Sequence, residues 1–175
     1  PVTRTVGPND TIRVAVIGVN GQGGAHLGEW LANPEVELVA VCDCDPASYA
    51  KHEGRFKNMK VAPRYVQDVR KLLEDKTIDA VLIGSPDHWH ALHMIAAAEA
   101  GADVYVQKPI SVDVLEGEAM LAAARRLGRV VQVGTQRKST PHLVEAKKNI
   151  VDTGRLGKVA HVEICCYYHM RANGN

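Results

Sequence analysis

Phenylalanine occurs once in these 175 residues and aromatic residues make up only 5%, so a core has to be filled by aliphatic side chains of modest size. Charge of one sign is not in excess either, since 21 Lys plus Arg stand against 20 Asp plus Glu for a formal net charge of +1. That balance provides no field to recruit nucleic acid or an anionic membrane, and neither is expected as a partner. Long apolar runs are missing too. Stretches such as Ala80–Gly84 and Val130–Val133 fall far short of the roughly 20 residues that a bilayer-spanning helix requires. Internal repeats and low-complexity segments are absent.

Cysteine is scarce and badly spaced for chemistry. Cys42 and Cys44 form one tight pair, Cys165 and Cys166 the other. Neither has the spacing of a metal site, and each pair is too close for easy internal bridging. Buried thiols are expected, with Cys42 and Cys44 on one face of a strand. His88, His90 and His93 lack a thiolate or carboxylate at set spacing, so no metal site is expected there.

What is present is a rhythm. From Ile12 onward, short β-rich runs alternate with helix-length stretches, the pattern of βαβ units around a parallel sheet. Strands are expected at Ile12–Ile17, Val36–Cys42, near Val61, and at Asp79–Ile83, Asp103–Val106 and Val130–Val133. Between them fall helices at Gln22–Leu31, from Asp45-Pro46 to about Asn58, after the Asp68 cap, and at His90–Ala100, Asp113–Leu127 and Pro141–Asp152. The reading is α/β, a doubly wound parallel sheet of the Rossmann type over residues 12–157, after an extended arm at 1–11. Lys158–Tyr168 is read as one further strand within 158–175, the first of a second α/β domain.

Parallel sheets bind ligands beyond the carboxyl ends of their strands, so the loops there carry the candidates. The first, Gly18-Val19-Asn20-Gly21-Gln22-Gly23-Gly24, fits G-x-G-x-x-G with Asn20 at the middle glycine. Gly18 suits a tight turn, Gly23 close packing of helix on strand, and the free amides of the helix N-terminus a pyrophosphate. Asn tolerates left-handed backbone better than most residues; the other reading is a purely structural turn. Asp43 ends the second strand, twenty residues after Gly23. A carboxylate there can accept from both ribose hydroxyls and repels a 2′-phosphate, favouring NAD over NADP. It could instead cap the next helix, although Asp45 is better placed for that.

Two more loops, Ser85-Pro86-Asp87-His88-Trp89-His90 and Gln107-Lys108-Pro109, complete a pattern with the glycine loop and Asp43. Together with Gly134-Thr135-Gln136-Arg137 and Thr153–Val159, this order of motifs resembles the Gfo/Idh/MocA oxidoreductases over nearly the whole chain after Thr11. The resemblance implies that Lys108 approaches the nicotinamide and the reacting hydroxyl as a catalytic group. It likewise implies that Gly21 and Gln22 cradle the pyrophosphate, and that Ser85, Pro86, His88 and His90 wall the nicotinamide ribose. Pro109 follows the lysine in the same cofactor-binding turn, and Arg137 lies at the substrate edge. Gln107 departs from the family's usual Glu at a position that contacts ribose hydroxyls; an amide can still bond them without the charge.

The implied activity is hydride transfer between a secondary alcohol of a sugar, cyclitol or polyol and NAD. Alternatives are a redox-silent NAD-binding sensor or interaction protein, and an enzyme that cleaves glycosides with the help of bound NAD. The family continues into a second domain whose histidine serves as main base. The chain alone is therefore expected to bind NAD but turn over little, and to form a homo-oligomer through the sheet starting at Lys158. Exported members of the family make cytoplasmic and periplasmic locations equally open.

Overall fold

The structure, a computed structural model, describes residue 7, residues 10–57 and residues 59–165. It falls into two compact units that divide between Thr135 and Gln136.

The first unit is built on a parallel six-stranded sheet ordered β3-β2-β1-β4-β5-β6. Its strands are β1 (Ile12–Ile17), β2 (Val36–Cys42), β3 (Arg64–Val66), β4 (Ala80–Ile83), β5 (Asp103–Gln107) and β6 (Val131–Gly134). The helices are α1 (Gln22–Leu31), α2 (Pro46–Ala50), α3 (Glu53–Phe56), α4 (Val69–Leu72), α5 (His90–Ala100) and α6 (Val114–Leu127). Strand runs are almost wholly apolar because both faces of the sheet are covered. Along β1 the period of two sends Val14 and Val16 to one face, where they pack with Leu27, Leu38, Phe56 and Leu82. Ala15 and Ile17 go to the other face, with Ile83, Met94, Val104 and Met120.

Helix starts follow local side-chain chemistry. Asp45, Asp68 and Asp113 each accept a first-turn backbone N–H, from Ala47, Arg70 and Glu116 at 2.9 Å, so each satisfies a donor the helix leaves orphaned. Asp45, not Asp43, thus caps the helix after β2.

Several sequence expectations need correction. The helix expected from Pro46 to about Asn58 is broken at Lys51-His52 into α2 and α3; Asn58 itself lies outside the described residues. The strand expected near Val61 begins at Arg64 instead, leaving Val61 75% exposed, because only from Arg64 does the backbone reach the register of Ala40 on β2. Cys42 is buried, but Cys44 lies past the end of β2 and is exposed, as is Cys165, so strand alternation does not relate the first pair. Cys166 is outside the described residues.

The second unit starts with a 3-10 turn, Gln136–Ser139, and α7 (Pro141–Ala146), which continues as one π-helical turn, Lys147–Val151. The expected strand from Lys158 does not form over 158–165, which have no regular secondary structure and are exposed. A strand exists only by bonding a neighbour, and none is paired with it among the described residues. Residues 166–168 of that expectation are outside them.

Candidate functional site

Strand order reverses between β1 and β4, the place where a doubly wound sheet opens a crevice. Ile17 of β1 is in register with Ile83 of β4, and Ile83 with Val106 of β5. The three loops that follow, at Gly18, Gly84 and Gln107, therefore leave the sheet side by side at one level.

Close backbone approach shapes the first two loops. Gly18 has φ +79°, open to glycine at no steric cost, and a Cβ there would lie 2.6 Å from the Ser85 backbone. A Cβ on Gly23 would lie 1.8 Å from the Gly18 carbonyl oxygen, and one on Gly84 would lie 2.6 Å from the Gly23 Cα. Helix α1 thus begins pressed against the ends of β1 and β4. Gly21, by contrast, has nothing within 4 Å of its would-be Cβ. Asn20 does not use the left-handed backbone allowed for it, because no non-glycine residue among those described has positive φ. Its side chain instead accepts from Lys51 Nζ at 2.5 Å. No side chain caps α1 and its first turn holds no acidic residue. The N-terminal amides and the positive end of the helix dipole are thus left to an external anion.

The segment after β2 braces this loop. Asp43 is half-buried, and its Oδ2 accepts the Val19 N–H at 2.9 Å while Oδ1 accepts that of Asp45 at 3.0 Å. His52 Nε2 meets the Val19 carbonyl at 2.8 Å, and Arg55 Nη1 donates to the Gly24 carbonyl at 2.8 Å. Lys51, His52 and Arg55 were not among the residues singled out in the sequence. Their partners lie some thirty positions earlier, and no local spacing announces such contacts. Burial pushes the Cys42 thiol up to about 12, helped by the Asp43 and Asp68 carboxylates, so this cysteine is not a nucleophile here.

At the β4 and β5 loops, buried residues hold exposed ones. His90 is 2% exposed. Its Nδ1 lies 2.6 Å from the Pro109 carbonyl oxygen and its Nε2 2.9 Å from that of Ser85, so it ties the two loops together rather than offering itself to a ligand. Gln107 is also buried, whereas Pro86, His88, Lys108 and Pro109 are exposed and free to meet one. The Lys108–Pro109 peptide is cis. Sequence reasoning passed over Trp89, which is 46% exposed and stacks on His93 with centroids 5.5 Å apart. Burial, with His90 nearby, lowers His93 to about 4, and its Nδ1 lies 3.1 Å from Ser85 Oγ. Arg137 belongs to the second unit, where it is exposed.

The family model of the Gfo/Idh/MocA group, described as an oxidoreductase family with an NAD-binding Rossmann fold, matches residues 12–135. Among characterised proteins, 1-carboxy-3-chloro-3,4-dihydroxycyclohexa-1,5-diene dehydrogenase of Comamonas testosteroni is 31% identical over 89% of the chain and 38% of its own length. The NAD(+)-dependent scyllo-inositol 2-dehydrogenase of Bacillus subtilis strain 168 is 32% identical over 84% of the chain and 42% of its own length. A solved structure of scyllo-inositol dehydrogenase from Lactobacillus casei, with NAD(H) and scyllo-inositol bound, superposes with a TM-score of 0.74 at 25% identity. It covers 85% of the chain and 43% of that protein. The chain thus spans less than half the length of these relatives.

Proposed function

The chain belongs to the Gfo/Idh/MocA oxidoreductase family, with its NAD-binding Rossmann fold, and from that premise we propose that it is the cofactor half of a dehydrogenase acting on a ring-shaped polyol. The observation that carries this reading is the register of β1, β4 and β5, which brings the glycine loop, the Ser85 loop and the exposed Lys108 to one crevice. Relatives named for inositol and for a dihydroxycyclohexadiene support a cyclic secondary alcohol as substrate.

The residues present fit NAD. The Gly18–Gly23–Gly84 contact leaves no room for side chains where a pyrophosphate has to approach α1, and the amides of Gly21, Gln22 and Gly23 would hold it. Asp43 and the Asn20 amide would hold the adenosine ribose. Ser85, Pro86 and His88 would line the nicotinamide side, held by the buried His90 behind them, while the buried Gln107 would hold the Lys108 turn. When bound, NAD supplies the hydride acceptor. Lys108 would orient the substrate hydroxyl through its ammonium group, the hydroxyl proton passing to a separate general base as the carbonyl forms. Self-association belongs to the same reading: Leu156, Val159, Val162 and Ile164 are 57%, 55%, 68% and 87% exposed, more apolar surface than an isolated segment leaves in water.

The test is to incubate the full-length protein with NAD and a panel of cyclitols and sugars while following absorbance of the reduced cofactor, with sedimentation for the oligomer. NAD binding without reduction by any secondary alcohol would favour a redox-silent sensor and remove the enzyme reading.

A further inference from the structure

Gln107 is where the lysine turn departs from its family pattern, and its amide is wholly engaged inside the protein. The residue is 4% exposed. Its Oε1 accepts the Lys108 backbone N–H at 2.6 Å, and its Nε2 lies 2.8 Å from Nε2 of His26 on α1. A main-chain N–H can only donate, so the amide oxygen must face Lys108 and the NH2 must face His26. The NH2 can only donate in turn, so His26 Nε2 has to be the bare, accepting nitrogen. The ring proton then sits on Nδ1, which points to Glu29 Oε2 at 3.4 Å. Each partner leaves the next a single choice, in a row running from Lys108 through Gln107 and His26 to Glu29.

Neighbours keep the row in place. Tyr105 of β5 meets His26 edge-on, with centroids 5.6 Å apart. Gly134, the register partner of Gln107 on β6, makes room for both, since a Cβ there would lie 2.8 Å from Gln107 Oε1 and 2.7 Å from the Tyr105 hydroxyl.

The geometry points to His26 as a positioning residue: through Gln107 it sets the direction of the Lys108 turn, and an amide at 107 matches only the Nδ1-protonated tautomer at 26. Helix α1, whose first turn faces the cofactor crevice, is thereby linked to the lysine at the other side of that crevice. The effect on turnover rests on the reading of Lys108 given above; the hydrogen-bond row does not.

Two measurements test it. In nitrogen-15 spectra of histidine side chains in the whole chain, His26 is expected to carry its proton on Nδ1. In Gln107→Glu, a carboxylate oxygen facing Nε2 requires a proton there, so the Nε2 signal should change from bare to protonated. A wild-type His26 protonated on Nε2, or an unchanged His26 in Gln107→Glu, overturns the row. The second measurement separates kcat from cofactor affinity in the full-length protein. His26→Leu removes the acceptor, whereas His26→Gln returns a side-chain oxygen to the same side. His26→Leu should lower kcat roughly tenfold with the Kd for NAD changed less than about twofold, and His26→Gln should recover most of the loss. Unchanged kcat in His26→Leu, beside a clear loss in Lys108→Ala, overturns the positioning role. Unchanged kcat in both removes the reading of Lys108, and with it any effect of His26 on turnover, while the spectra still decide the row. Should His26→Leu fail to fold, Gln107→Glu and His26→Gln carry both measurements.

Discussion

Val19 and Asp43 are joined between the loops of two strands: the backbone N–H that follows the first loop glycine donates to the carboxylate just past the end of β2, at 2.9 Å. One side chain therefore shapes the glycine loop and, on the function proposed above, would also hold the adenosine ribose. A hydrogen bond to a charged acceptor contributes about 1.5–3 kcal/mol, so that proposal couples cofactor binding and stability at Asp43.

Asp43→Ala is accordingly expected to act twice. NAD should lose its advantage over NADP by at least about tenfold, or roughly 1.4 kcal/mol, and the unfolding free energy should fall by about 1–3 kcal/mol as two backbone amides lose their acceptor. Titration with both cofactors and urea unfolding check this; equal affinities in the unmodified protein would remove the ribose assignment.

Lys108→Ala in the full-length protein should depress kcat by about a hundredfold or more while NAD affinity changes little, because a group acting on the reacting hydroxyl matters most in the transition state. Lys108 is exposed and makes no side-chain cap or ion pair among the described contacts. Its loss should therefore leave the melting temperature nearly unchanged. Unaltered turnover would reduce it to a turn residue.

The glycines of the loop should separate cleanly. Gly23→Ala places a Cβ 1.8 Å from the Gly18 carbonyl oxygen. Overpacking of that kind costs about 1–3 kcal/mol or more, and NAD binding should weaken with it. Gly21→Ala meets nothing within 4 Å and should keep nearly full stability. Equal losses in calorimetry would contradict the close approach described for α1.

His93 sets a pH window. Its folded value lies near 4, below the ordinary 6.5, so in that range the unfolded chain binds a proton the folded chain does not. Stability must then fall as pH drops from 6.5 toward 4, and level off below. His93→Asn should flatten the slope of unfolding free energy against pH in that window; an identical slope in the variant would mean that other groups carry it.

Proteolysis checks the ending. Arg155 and Lys158 are exposed in the single chain, and irregular backbone follows them, so in the dissociated chain trypsin should cut there early and at a rate NAD does not alter, and more slowly once the chain self-associates. Sites near Asp43 and Lys108 should gain protection with NAD. Early resistance at Arg155 and Lys158 would show that the segment is held by a partner.

The sequence alone determined the order and kind of the main elements. The bounds of β1, α1, β2 and α5 were readable because apolar period and glycine or proline stops act within a few residues. It also determined where to look, since parallel strands followed by a glycine loop, an acid and a lysine turn admit few ligand sites. Only the tertiary structure decided what each side chain at that edge does. His90 and Gln107 were read as lining the cofactor; both are buried, His90 against the Ser85 and Pro109 carbonyls and Gln107 against the Lys108 N–H and His26, because burial depends on which strands become neighbours. His26, His52 and Arg55 were invisible for the same reason: Gln107 meets His26 across a separation of 81 residues, and a contact at that range exists only once the sheet has set its strand order. The run from Lys158 marks the opposite limit. Its β-rich composition reads as a strand, but a strand is completed by the neighbour it bonds, and composition cannot supply one.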